Sequence, residues 1–453
     1  MRTGLCHGGW CCVPVVLALS IALTVGACAG TPTDERAQQL MRAGDVRRAC
    51  DQLRALVDEE GPRERQLNRV RELTECLSRI GRLEELARLL APRPEDGLRL
   101  YGEALLEVAR SPMALGRALQ LLARAEARWP GLGEIPYRAG ILLLADEQPA
   151  RALPYLQRAC RLSETAACVV AQAHALLDLN QTQQALALAG RLPLLRPRKV
   201  DVDRGRALIQ RIAKRSRRIP PAARTKLDEA DQLLERDRAG DAIRLLEELL
   251  LDHPRLGAAH RSLGLAHLRL GNAADAVVAL RRATELDPLD SSSHLFLAAL
   301  YQSRGLVDES VTEYREALRL NPFLEEAAQR LGELLLQRGR AAEAAEILDR
   351  AGAVDGGGAL SLRLAARAHL AAGKLDRAER CLVRLHQREP QDFETNLRLA
   401  QLLADRYAQQ GGASPETLAR AFEHLDQAAA SRPADPELAE LRRRLQKHGP
   451  DAD

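Results

Sequence analysis

Small and apolar positions recur along the second half of the chain with a period much longer than that of a helix or a strand. Ala230, Gly264, Ala298, Gly332, Ala366 and Ala400 stand 34 residues apart. Ala242, Ala276, Ser310, Ala344 and Ala378 repeat the same step twelve residues later, and Leu246, Leu280, Tyr314, Leu348 and Leu382 form a third row. Pro254, Pro288, Pro322 and Pro390 close the units, with Gly356 in the remaining proline position. Gly271, Gly305, Gly339 and Gly373 lie between the first two rows. Each row has a physical role. Small residues let two helices approach, a proline just past a helix stops it, and glycine supplies the positive φ of a tight connection. Each unit therefore reads helix, turn, helix. A single hairpin cannot bury its apolar face, so the units must stack. The predicted fold is all-α, a solenoid of helical hairpins.

The segments HRSLGLAHLRLGNAADAVVALRRATELDP (260–288) and HLFLAALYQSRGLVDESVTEYREALRLNP (294–322) carry this pattern in full. They resemble the tetratricopeptide repeat family, whose period is 34. The resemblance implies a right-handed superhelical solenoid that binds partners on the face of its first helices. It is firm from 223 to 433, and a degenerate version covers 28–198, marked by Ala37, Gly44 and Ala49, then by Tyr101, Gly102 and Ala118, then by Gly140, Ala152 and Leu156. About ten or eleven units result. Between the two blocks lies a basic linker stretch, 199–222, with a helix expected over 201–216 and Pro220-Pro221 ending it. In the last unit nine extra residues around Tyr407–Pro415 interrupt the pattern, and Ser414-Pro415 suits a helix restart as N-cap and first residue. A final helix, 434–448, places Leu438, Leu441 and Leu445 on one face and Arg442, Arg443, Arg444 and Lys447 on the other, which makes a soluble end.

The first residues differ in kind. Arg2 precedes an apolar stretch from Cys11 to Val25, which is followed by Gly26-Ala27-Cys28. The stretch is short for a bilayer span and suits the apolar core of a secretory signal. The cysteine after Gly-Ala makes it resemble a bacterial lipoprotein signal. That resemblance implies removal of 1–27, a lipid on Cys28, and, from Ala29, the outer membrane with the protein facing the periplasm. Ordinary signal cleavage, an uncleaved anchor, and a soluble cytoplasmic adaptor with a misassigned start are the other readings.

Composition agrees with a helical protein: aromatic residues are 3% of the chain and apolar residues 46%. Removing Arg2 with the leader takes the formal charge from +4 to +3, which gives no overall reason to expect nucleic acid. No HExxH, paired CxxC, phosphate loop or nucleophile elbow occurs, so neither a catalytic residue, a metal nor a cofactor is expected. His260 and His294 share one repeat position, and His267 and His369 another; all four read as packing residues. Charge is concentrated between Arg191 and Ala222, where eleven basic residues face only Asp201 and Asp203. Leu208, Ile209 and Ile212 form an apolar stripe there, alongside the basic patch of Arg204, Arg206, Arg211, Lys214, Arg215, Arg217 and Arg218. A solvated linker explains this stretch. An anionic partner such as a glycan, peptidoglycan or lipid head groups explains it too.

Beyond the leader and Cys28, five cysteines remain: Cys50, Cys76, Cys160, Cys168 and Cys381. An export signal implies a compartment that permits disulfides. Cys160 and Cys168 flank a repeat junction in a way that resembles cysteine-bridged Sel1-like relatives, which implies a disulfide between them; two buried thiols are the alternative. Cys50–Cys76 is a second candidate pair, and Cys381 reads as a buried thiol. By the family's phase, Arg261, Leu265, Leu268, Leu295, Gln302, Gln329, Glu333, Arg363, Arg367 and Gln401 line the binding groove. This mixture suits a peptide or helix. Chaperone-binding relatives use a Lys/Asn clamp, whose Asn position here holds Asp231, Leu265, Ala299, Glu333, Arg367 and Gln401, so that function is not implied. The resulting expectation is a lipid-anchored periplasmic scaffold. It would hold a segment of an envelope protein during assembly of a secretin or pilus, the outer membrane or an exopolysaccharide exporter. A glycan-binding envelope module using 191–222 is the alternative.

Overall fold

The computed structural model describes residues 32–447, apart from 58, 60, 196, 198, 217–218, 354–357 and 410–413. The expected leader 1–27, the expected lipid site Cys28, and Arg217 and Arg218 lie outside the described residues, as does the side chain of Arg215. The described residues are helices joined by short connections, with no strand among them. The chain divides into two compact units, 1–188 and 189–453.

The first unit stacks five hairpins. Their helices are Pro32–Arg42 with Val46–Val57, Arg63–Arg79 with Leu83–Leu90, Gly97–Arg110 with Leu115–Arg128, Glu134–Ala145 with Pro149–Leu162, and Ala166–Asp178 with Thr182–Ala189. Side chains cap at least three of these helices, and Asp45 accepts from Arg48 N at 3.3 Å before Val46–Val57. Asp96 accepts from Arg99 N at 2.9 Å, and Thr165 from Cys168 N at 3.2 Å. Two disulfides lie in this unit, Cys50–Cys76 and Cys160–Cys168, with Cα–Cα distances of 5.5 and 5.7 Å.

The second unit opens with a turn of 3₁₀ helix, Leu192–Leu195, and the helix Lys199–Ser216. Six hairpins follow: Pro221–Glu235 with Ala239–Asp252, Gly257–Arg269 with Ala273–Leu286, Ser291–Ser303 with Val307–Leu320, Glu325–Gln337 with Ala341–Ala353, Ala359–Ala371 with Leu375–Arg388, and Phe393–Gln409 with Pro415–Ser431. Pro436–Lys447 covers the last hairpin with Leu438, Leu441 and Leu445, all buried. Ser414 accepts from Thr417 N at 3.4 Å, and Pro415 is the first residue of its helix.

The repeat rows have the geometry their chemistry requires. A methyl group at Gly264 would sit 2.6 Å from Leu280 Cγ, and one at Gly332 would sit 2.7 Å from Leu348 Cδ1. The first small row is therefore the contact between the two helices of one hairpin. The turn glycines adopt positive φ: 78° at Gly271, 74° at Gly305, and 70° at Gly339 and Gly373. Asp237 holds the same turn position at φ 58°.

The proline pair Pro220-Pro221 opens the next hairpin and does not itself end the basic helix, whose end at Ser216 agrees with the expected 201–216. The basic helix stops at Ser216, while Pro220 caps and Pro221 begins the next helix. The first helical position has no intrahelical use for an N–H, so proline fits there at no cost.

Candidate functional site

The ten groove residues expected on the first helices of the second unit separate into two sets. In the first set, long polar side chains reach neighbouring helices. Arg261 Nη1 donates to Asp290 Oδ2 at 2.9 Å, and Ser293 Oγ donates to the same oxygen at 2.6 Å. Gln302 Oε1 accepts from Tyr314 Oη at 3.0 Å. Gln329 Nε2 donates to Ser361 Oγ at 3.0 Å, and Arg363 Nη2 to Glu389 Oε2 at 3.0 Å. Gln401 Nε2 donates to Glu437 Oε2 at 3.3 Å. Leu295 is buried. The second set faces outward: Leu265, Leu268 and Glu333 are half-buried and Arg367 is exposed. The fully open surface is therefore smaller than the repeat phase alone suggests. The first set couples helices within and between hairpins, with Tyr314 raised to about 12 by burial as its acid proton stays in place.

The basic helix is not a solvated rod. Asp201, Val202, Leu208, Ile209 and Ile212 are buried, and so is Gly205. A methyl group at Gly205 would meet Phe323 Cζ at 2.6 Å and Leu192 Cδ1 at 2.9 Å. Phe323 directly follows the repeat proline Pro322, in the register that Arg255, Leu289 and Gln391 occupy elsewhere. An aromatic ring met by a glycine forms a seat for this helix. Arg206, Arg211 and Lys214 are exposed and Arg204 is half-buried.

The first unit holds a charged cluster that the sequence reading did not identify. Glu134 Oε1 accepts from Arg138 Nη2 at 2.6 Å and from Tyr101 Oη at 2.9 Å, and Arg71 Nη1 lies 4.0 Å away. Arg71 Nη2 also donates to Glu72 Oε1 at 3.2 Å. The side chains of Arg138 and Arg71 are 1% and 3% exposed. Burial, followed by the charge of Glu134, pushes the Tyr101 hydroxyl far above its ordinary value. Burial penalises the Arg138 guanidinium, but Glu134 holds it above its ordinary value. The sequence signal for this cluster is faint: Glu134 and Arg138 stand one helical turn apart, as in any surface pair.

At the other end of the second unit, His424 Nδ1 meets Asn396 Oδ1 at 3.1 Å, and the His386 and His424 rings stand edge to face with centroids 4.9 Å apart. Burial, then His386, lowers the pKa of His424. Three metal-capable side chains also converge in this unit, Asp349, His369 and Cys381.

Two runs, 227–291 and 294–357, match the tetratricopeptide repeat model, so the second unit contains tetratricopeptide repeats. The class these hairpins define is a protein–protein interaction scaffold. No curated protein sequence matches the chain. Among solved structures, the chain is similar to YrrB, described as a tetratricopeptide protein with an unusual peptide-binding site, at 15% identity and TM-score 0.38, over 44% of this chain and 97% of that one. It is similar to a tetratricopeptide repeat protein from Parabacteroides merdae at 19% identity and TM-score 0.34, over 50% of this chain and 86% of that one. PilW, described as a type IV pilus biogenesis factor, is 19% identical with TM-score 0.34, over 49% of this chain and all of its own.

Proposed function

We propose that this protein is a lipid-anchored scaffold of the bacterial envelope that holds a peptide or helix of an envelope protein along its first-helix face. The open set on that face carries the reading. Leu265 and Leu268 offer partly covered apolar surface, while Glu333 and Arg367 offer opposite charges further along the stack. Apolar anchors flanked by charges of both signs suit an amphipathic segment, whose apolar side docks and whose polar rim sets register. The lipid tether rests on the run from Cys11 to Cys28. It would place the stack at the periplasmic surface of the outer membrane, where bacterial lipoproteins carry the several acyl chains that stable anchoring requires.

The test has two arms. Cells fed an acyl analogue should label the wild-type protein and not a Cys28→Ala variant. A crosslinked pull-down from envelope membranes should recover one dominant protein, lost on combined Leu268→Glu and Arg367→Glu substitution. Label on the Cys28→Ala protein would reject the tether. Recovery unchanged by the double substitution would reject the face.

A further inference from the structure

We propose that Asp349, His369 and Cys381 form a binding site for a divalent transition-metal ion, with zinc as the fitting ion. The three residues come from three consecutive helices, Ala341–Ala353, Ala359–Ala371 and Leu375–Arg388. One carboxylate oxygen, one imidazole nitrogen and one thiol sulfur lie within 4.8 Å of one another. His369 Nε2 and Asp349 Oδ1 are 2.7 Å apart, so a single proton now bridges two of the three donors. His369 Nδ1 is buried without a hydrogen-bond partner. The imidazole side chain is 1% exposed and the Asp349 side chain 36%, so the pair forms a buried floor with an edge open to an entering ion. Cys381 is buried and joined to no other cysteine, while Cys50–Cys76 and Cys160–Cys168 are paired in the other unit.

The repeat register shows that this grouping is a local substitution and not a by-product of the family pattern. At the three preceding junctions the same positions hold Glu247, His267 and Ala279, then Arg281, Tyr301 and Glu313, then Arg315, Leu335 and Ile347. Only the fourth combines carboxylate, imidazole and thiol. A mixed sulfur, nitrogen and oxygen set suits Zn²⁺ and its spectroscopic substitute Co²⁺, and does not suit the hard ions Mg²⁺ and Ca²⁺. Three protein ligands leave one tetrahedral position for water.

Charge balance supports the assignment. A thiolate and a carboxylate neutralise a dication, so the filled site adds no net charge to a buried place. The neighbouring cations act against binding. Arg377 Nη1 lies 3.6 Å from Asp349 Oδ2, but its side chain is 55% exposed and it leaves Oδ1 to the site. Arg384 Nη2 is turned to Gly352 O at 2.9 Å. Arg380, on the Cys381 helix, is exposed. Burial and then Asp349 push the Cys381 thiol up to about 11, so the thiol is protonated when no metal is bound. Binding therefore releases the thiol proton. Affinity should rise with pH.

The experiment is a Co²⁺ titration of the full-length protein after chelator treatment. The expected result is a sulfur-to-cobalt charge-transfer band in the near ultraviolet, with tetrahedral visible bands. Both should saturate near one equivalent and be erased by Zn²⁺. Cys381→Ser should lose the charge-transfer band, and Asp349→Asn, at the partly open edge, should weaken binding at least tenfold with unchanged circular dichroism. Absence of the sulfur band in the folded wild-type protein would overturn the proposal. So would a band that persists in Cys381→Ser.

Discussion

Replacing Glu134 by Gln tests whether the charged cluster of the first unit is a structural centre. The amide keeps the size of the side chain and one acceptor for Tyr101, so the substitution removes charge with little change in packing. In the wild type the Glu134 carboxylate lies 2.6 Å from Arg138 Nη2 and 4.0 Å from Arg71 Nη1, and both guanidiniums are buried. Removing one member of a buried ion pair costs roughly 3–5 kcal/mol, because the remaining charge stays desolvated. The Glu134 side chain is 14% exposed, and Arg71 also meets Glu72 at 3.2 Å, so the low end applies, about 3 kcal/mol. Trp129 is the only tryptophan besides Trp10, and its ring packs over Gly97 and beside Arg63. Its fluorescence therefore reports unfolding of the first unit. A loss of about 3 kcal/mol should lower its urea midpoint by roughly 1–2 M. Adding Arg138→Met should recover part of the loss, because an apolar side chain does not require the missing charge. An unchanged midpoint for Glu134→Gln, or an additive double variant, would refute the claim that these charges are coupled.

Four further outcomes follow from the same structure. His424 is held below its ordinary pKa, so the unfolded chain binds more protons than the folded one as pH falls through about 6.5. Stability of the last hairpin should accordingly be full above that pH and fall below it, and His424→Gln should flatten the dependence seen by hydrogen exchange. Reduction or Ser replacement of the Cys160–Cys168 pair, eight residues apart, should cost about 2–3 kcal/mol in the Trp129 transition and leave exchange in the second unit unchanged. Asp237→Gly should stabilise the first hairpin of the second unit by about 1 kcal/mol in denaturant melts, since Asp237 now sits at φ 58°. Gly205→Val should drive the basic helix from Phe323, and limited trypsin digestion should then cut first at Arg206 or Arg211, faster than in the wild type.

The period, the small rows and the turn glycines were legible because each rests on one backbone requirement: close approach at Gly264 and Gly332, positive φ from Gly271 to Gly373. The all-α hairpin stack follows from those alone. Less was legible where a long side chain decides the matter. The repeat phase places Arg261 and Gln329 on the binding face, but it does not show that Asp290 and Ser361 of the following hairpin bind their polar ends. The Arg71, Tyr101, Glu134 and Arg138 cluster lies on three different helices of the degenerate half, where no periodic row marks it. Phe323 and its partner Gly205 stand more than a hundred residues apart, and no periodic row joins them.

The central claim is that partners bind the first-helix face. Photo-crosslinking in cells tests it most directly, with a photoreactive residue placed singly at Leu268, Arg367, Leu251 and Val278. Leu251 and Val278 lie on second helices and are 84% and 70% exposed, so they control for accessibility. The account predicts one discrete envelope-protein adduct from Leu268 and Arg367, with none from the two second-helix sites. The same adduct from Leu251 or Val278, with none from Leu268 and Arg367, would contradict it.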